Sequence, residues 1–76
     1  MTLEQLQAIL APYLDEEAED LAMDDDLMEA GLDSIAIMSI TAELRDRYSL
    51  VTFMELAEEP TMEAWLRKIH EKVAVQ

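Results

Sequence analysis

Leu3, Leu6, Ile9, Leu10, Tyr13 and Leu14 recur at helical intervals, which places them along one face of a helix. Thr2-Leu3-Glu4-Gln5 opens that run as a capping box, with Thr2 as the cap and Gln5 reaching back to it. The pattern predicts a first helix over about residues 3–14, and Pro12, which lacks an N–H, weakens or ends its last turn. From Asp15 to Asp26 the chain is acidic, with only Ala18, Leu21, Ala22 and Met23 interleaved. This stretch reads as a surface loop with one helical turn around Ala18 to Leu21. Leu27, Met28 and Leu32 then return as apolar anchors expected to pin the loop to the core.

A second helix is predicted over about residues 34–48, and its apolar positions form two stripes. Ile37, Ile40, Leu44 and Tyr48 suit a buried face. Ile35, Met38 and Ala42 lie to one side, and periodicity alone fits either a partner surface or one broad core-facing helix. Thr52-Phe53-Met54-Glu55-Leu56-Ala57 is too short for a free helix and long enough for a packed turn or two. Pro60 stops it, and Thr61 can cap a last helix with the stripe Met62, Trp65, Leu66, Ile69 and Val73. Arg67, Lys68 and Lys72 sit in the later turns of that helix, where the dipole favours cations. The outcome is an all-α single domain spanning residues 1–76, a small bundle of three main helices and a short third one.

Composition narrows the function. At 76 residues, with no cysteine, the domain has no disulfide or thiolate metal site to brace it, so helix packing must hold it. Acidic residues number 18 against 5 basic, a formal net charge of −13. Such a surface repels nucleic acid and anionic lipid and steers cationic partners toward itself. No stretch is long enough to span a membrane, and the N-terminus lacks the basic-then-apolar order of a signal peptide, so a cytoplasmic protein is expected. Met1 and the lack of a linker suggest a free-standing protein, although an excised domain preceded by an added methionine reads the same way.

The candidate chemistry gathers at Gly31-Leu32-Asp33-Ser34, which holds the only glycine of the chain. Glycine here suggests a tight turn that delivers Ser34 to a helix start, as its N-cap, with the hydroxyl exposed. A nucleophilic serine would need a base and an orienting group. The only histidine, His70, falls among charges of the last helix with no second partner, so an enzyme is not expected and Ser34 reads as a residue that another enzyme modifies. The acids Asp24-Asp25-Asp26, Glu29 and Asp33 do not make a calcium loop: counted from Asp24, the sixth position is Glu29 rather than Gly and the twelfth is Ile35 rather than Glu. No metal site is expected. Trp65 falls on a core-facing stripe, and among the methionines only Met38 and Met54 are placed to face a partner.

The context Leu27-Met28-Glu29-Ala30-Gly31-Leu32-Asp33-Ser34-Ile35 resembles the modification site of acyl and peptidyl carrier proteins. The resemblance runs from roughly Leu27 to the end of the chain, and residues 1–26 share only a general helical pattern. Phe53-Met54-Glu55-Leu56-Ala57-Glu58-Glu59-Pro60-Thr61-Met62-Glu63-Ala64-Trp65 looks like the segment that follows this site in aryl carrier domains of siderophore-type nonribosomal peptide synthetases. Gly31-Leu32-Asp33-Ser34-Ile35 fits that subgroup as well, although some polyketide carriers also use Gly-Leu-Asp-Ser.

The resemblance implies a four-helix bundle of the acyl-carrier-protein type and a non-catalytic, monomeric thiolation domain. It implies that a phosphopantetheinyl transferase, using coenzyme A and Mg²⁺, attaches 4′-phosphopantetheine to the Ser34 hydroxyl. An adenylating enzyme would then load an acyl or aryl group as a thioester, and a condensing enzyme would draw on it. Partner contacts in the family, carried onto this chain, point to Leu32, Asp33, Ile35, Met38, Phe53 and Ala57, with Met38 and Phe53 as an apolar patch. The alternatives are a polyketide or fatty-acid carrier, and an acidic helical interaction module whose Ser34 stays unmodified.

Overall fold

The computed structural model describes residues 1–48 and 51–74, and side chains as far as Lys72. Among the described residues there are four α-helices: α1 (Leu3–Leu10), α2 (Ser34–Arg45), α3 (Phe53–Glu58) and α4 (Met62–Ala74). No strand occurs among the described residues. The bundle is all-α, as the spacing predicts.

The expected capping box opens α1, with Gln5 N–H donating to Thr2 Oγ1 at 3.2 Å and Thr2 N–H to Gln5 Oε1 at 3.0 Å. The α-helix ends at Leu10, and Pro12 lies in a 3₁₀ turn, Ala11–Tyr13, where a missing N–H costs little. A second 3₁₀ turn, Ala18–Asp20, occupies the acidic loop where one helical turn is expected, and its Ala18 is buried. Backbone bonds tie this loop down. Leu27 N–H donates to Pro60 O at 2.7 Å, Glu63 N–H to Met23 O at 3.0 Å and Asp15 N–H to Ala30 O at 3.0 Å.

Two expectations need correction here. Met28 does not pin the loop: it is exposed, and Ala30 takes the inner position beside buried Leu27 and Leu32. Residues 27–31 form a turn in which positions three apart share a side, so Leu27 and Ala30 face inward while Met28 faces water. The second helix ends at Arg45 rather than Tyr48. Arg45-Asp46-Arg47 offers no apolar face to hold another turn, and the Arg47 and Tyr48 N–H groups both close on Leu44 O at 3.0 and 2.7 Å. Tyr48 still packs against the core from outside the helix.

Leu6 and Leu10 of α1, Ile37, Ile40 and Leu44 of α2, Leu56 of α3, and Met62, Trp65 and Ile69 of α4 form one core, joined by Leu27, Leu32 and Val51 from the connections. Leu66 is partly buried against it, and the Val73 side chain lies outside the described residues. Trp65 is fully buried and its indole N–H donates to Leu56 O at 2.9 Å, so its polar atom is satisfied. Thr41 solves the same problem within α2, donating to Ile37 O at 2.7 Å. This packing carries Leu32, two residues before α2, into the core.

Candidate functional site

The turn before α2 is closed by Gly31 N–H to Met28 O at 3.4 Å and Leu32 N–H to Leu27 O at 3.1 Å. Gly31 adopts φ +119°, a backbone region that side chains oppose. Space excludes a side chain as well: a Cβ there would lie 2.8 Å from the backbone N, Cγ and Oδ2 of Asp15. The glycine thus lets the turn press against the start of the acidic loop.

Beyond the turn, Leu32 packs into the core at 3 % exposure and anchors the approach to the helix. Asp33 has an extended backbone and accepts the Ala36 N–H on Oδ1 at 2.8 Å. Asp33 is therefore the N-cap of α2. This corrects the expectation for Ser34, which is the first helical residue and is exposed. Both residue types cap helices well, and the earlier of the two takes the bond because it holds the non-helical conformation. With Asp33 holding the cap bond, the Ser34 hydroxyl is not engaged in capping.

Ser34 leads onto an exposed apolar strip. Ile35 is 74 % exposed and Met38 59 %, and Ala42 is also open, while Ile37, Ile40 and Leu44 are buried. The second stripe of α2 is thus uncovered. On α3, which packs on α2, Met54 is 75 % exposed and Ala57 is exposed, whereas Phe53 is half-buried with one side against the core. Of the carried-over contact residues, Asp33, Ile35, Met38 and Ala57 reach the surface, Phe53 does so in part and Leu32 does not. Met28, read as an anchor, joins the exposed apolar set. The signal that could have placed it outside was its one-residue offset from Leu27.

The charged groups near α3 are organised by α4. Lys72 Nζ lies 2.7 Å from Glu55 Oε1, and Arg67 and Lys68 reach the Glu59 carboxylate at 3.2 and 3.4 Å. The Lys72 hydrogen bond, with help from Thr52, holds the Glu55 carboxyl below its usual range despite some desolvation. Glu59 is lowered too, chiefly by its bond with Arg67.

The remaining candidates have structural occupations. His70 donates from Nε2 to the Met1 carbonyl at 2.8 Å. In the acidic loop, Asp25 Oδ2 accepts the Ala22 N–H and Asp26 Oδ1 the Met28 N–H, each at 2.8 Å, so these carboxylates shape turns. Among the described residues no group of three or more His, Cys, Asp or Glu is arranged to hold a metal ion. No helix there is long and apolar enough to cross a membrane.

An exposed serine at the first position of a twelve-residue helix suits a covalently attached phosphodiester, because the unpaired N–H groups and dipole of that end favour an anion. Comparison with known proteins bears on that fit. The sequence pattern of the family described as "Phosphopantetheine attachment site" matches residues 4–69. The match takes in α1 and the acidic loop, beyond the stretch from Leu27 in which the resemblance is visible by motif. The chain is 42 % identical over 64 residues to an isochorismatase of Bacillus subtilis (strain 168), covering 84 % of this chain and 20 % of that protein. It is 35 % identical over 68 residues to enterobactin synthase component B of Escherichia coli (strain K12), covering 90 % and 24 %. It is 47 % identical over 64 residues to pyochelin synthetase PchE of Pseudomonas aeruginosa (strain UCBPP-PA14), covering 83 % and 4 %. The chain therefore spans a quarter or less of the length of these relatives. With the pattern matched across all but the ends of the bundle, the chain belongs to the phosphopantetheine attachment family, the helical carrier domains that bear 4′-phosphopantetheine.

Proposed function

We propose that Ser34 is the attachment point and that the domain presents an acyl or aryl group to the enzymes of a nonribosomal, siderophore-type pathway. One observation carries the assignment of the residue: Asp33 takes the cap bond, leaving the exposed Ser34 hydroxyl at the mouth of α2. The attached group supplies a thiol on which a carboxylic acid is held as a thioester. The chain's own residues then act by placement. Gly31 and Leu32 fix the position of the serine, Asp33 closes the helix behind it, and the net charge of −13 draws in basic partners. Tethering raises the effective concentration of the cargo at each partner's active site, and the domain itself lowers no chemical barrier.

The partners in this reading are a phosphopantetheinyl transferase, an acid-activating adenylating enzyme and a condensing enzyme, all in the cytoplasm, with the domain acting as a monomer. The aryl starter class is supported by the segment Phe53 to Trp65 and by the relatives named for enterobactin and pyochelin. Ile35, Met38 and Met54 supply the apolar part of the docking surface, with Asp33 and Ala57 beside them and Phe53 as their half-buried backing.

The test is the intact mass before and after incubation with coenzyme A, Mg²⁺ and a broad-specificity phosphopantetheinyl transferase, run beside Ser34→Ala. The wild type should gain one phosphopantetheine and the variant none. A folded apo protein that gains nothing, or a variant that still gains it, removes Ser34 from this role.

A further inference from the structure

α3 is a six-residue helix, Phe53–Glu58, well below the length that holds itself in water. Its N-terminus is closed from within: Thr52 Oγ1 accepts the Glu55 N–H at 3.3 Å and donates to the Glu55 carboxylate at 3.0 Å. The C-terminus lacks such a closure. Glu59 follows at φ −133° and ψ 85°, so no left-handed residue turns the chain back onto the last carbonyls. Two of the last four carbonyls are met from another helix. Lys68 Nζ of α4 donates to Glu55 O at 2.7 Å, and the Trp65 indole donates to Leu56 O at 2.9 Å.

Trp65 and Lys68 stand three residues apart, so one face of α4 delivers both donors. Their contributions differ. Trp65 is fully buried and fixes the middle of α3 through the core. The Lys68 side chain is only 14 % exposed, and its ammonium sits where the dipole of α3 favours a cation, also 3.4 Å from the Glu59 carboxylate. Water does not replace a donor so well enclosed at equal strength. Without that ammonium, Leu56 would still hold α3 on the core, but the turn that bears Ala57 would lose its tether.

We infer that Lys68 is a positioning residue, a C-terminal cap supplied by α4 that holds α3 with Met54 and Ala57 presented to a docking enzyme. The inference deepens the proposed function and rests on its reading of the exposed edge of α3 as part of the docking surface. Cap and surface belong to different helices, so the orientation of the surface depends on a residue that no partner need touch.

Lys68→Met tests this by keeping the aliphatic stem and removing the ammonium, and Lys68→Arg restores a cation. Amide hydrogen exchange is read along all helices, together with KM and kcat for modification by a broad-specificity phosphopantetheinyl transferase with coenzyme A and Mg²⁺. Lys68→Met should speed exchange in α3 about tenfold while α1, α2 and α4 stay near wild type. It should raise KM for the domain about fivefold at unchanged kcat, with Lys68→Arg close to wild type in both. Unchanged exchange in α3 overturns the cap. Faster exchange with a wild-type KM overturns the positioning role and leaves a structural contact. If Lys68→Met loses protection in every helix, Lys68→Gln takes its place, and a wild-type KM there is equally fatal. A wild-type protein that accepts no phosphopantetheine defeats the carrier reading instead, and the exchange measurement still decides the cap.

Discussion

Gly31 combines φ +119° with no room for a side chain, since a Cβ would meet Asp15 at 2.8 Å. Gly31→Ala should therefore cost about 1–3 kcal/mol, read as a lower urea midpoint at unchanged slope. The next two residues separate the cap from the proposed attachment point. Asp33→Ala should lose about 1 kcal/mol with the Ala36 bond, whereas Ser34→Ala should stay within about 0.5 kcal/mol and take up no phosphopantetheine. Urea titrations beside the mass measurement check both. If Ser34→Ala is the more destabilised of the two, the capping assignment is wrong. The glycine turn was legible in the sequence because it is a local demand on one residue. Which neighbour caps was not, because Asp33 and Ser34 are both suited and only the backbone angle distinguishes them.

The pairing of α3 with α4 makes a prediction in pH. Bonds from Lys72 and Arg67 lower the Glu55 and Glu59 carboxyls in the folded state relative to an ordinary value of 4.5. On acidification the unfolded chain thus takes up these protons first. The contribution is complete above about pH 4.5 and is lost as pH falls through the lowered folded values. Both groups are open to solvent, so the effect is modest. The Glu55 side-chain carbonyl signal, followed by NMR from pH 6 to pH 3, should titrate below that of a model peptide, and Lys72→Met should move it back up. A midpoint unaffected by Lys72→Met would show that this ion pair is absent in solution. The exposed methionines of α2 and α3 allow a cleaner docking test than Phe53 does. Met38→Ala and Met54→Ala remove exposed side chains and should raise KM for modification severalfold with stability within about 0.5 kcal/mol of wild type, whereas Phe53→Ala also strips contact from the core. Wild-type KM in both methionine variants would remove the patch from docking. Periodicity drew both stripes of α2, but the choice between broad core face and open surface waited on where α1, α3 and α4 lie.

Over the whole molecule, 18 acids face 5 bases, and Arg67, Lys68 and Lys72 are already engaged with Glu55 of α3, with Glu59 just after it and with Glu71 of α4. The stretch from Asp15 to Asp33 contains no base at all. Self-repulsion should outweigh the few ion pairs, so raising NaCl from about 10 mM to about 300 mM should raise Tm. A fall in Tm would put the ion pairs ahead. The helices, the capping box of α1, the single glycine turn and the acidity were all determined by the sequence itself. Each is set by neighbours within a few residues, or by a sum over the chain. Tertiary structure alone decided that Met28 faces out and Ala30 in, that α2 stops at Arg45, that Ile35 and Met38 stay uncovered, and that α4 caps α3. The physical reason is common to all of them. Burial and the partners of terminal carbonyls depend on which helix comes to lie alongside, and residues far apart in sequence settle that only once the core has closed.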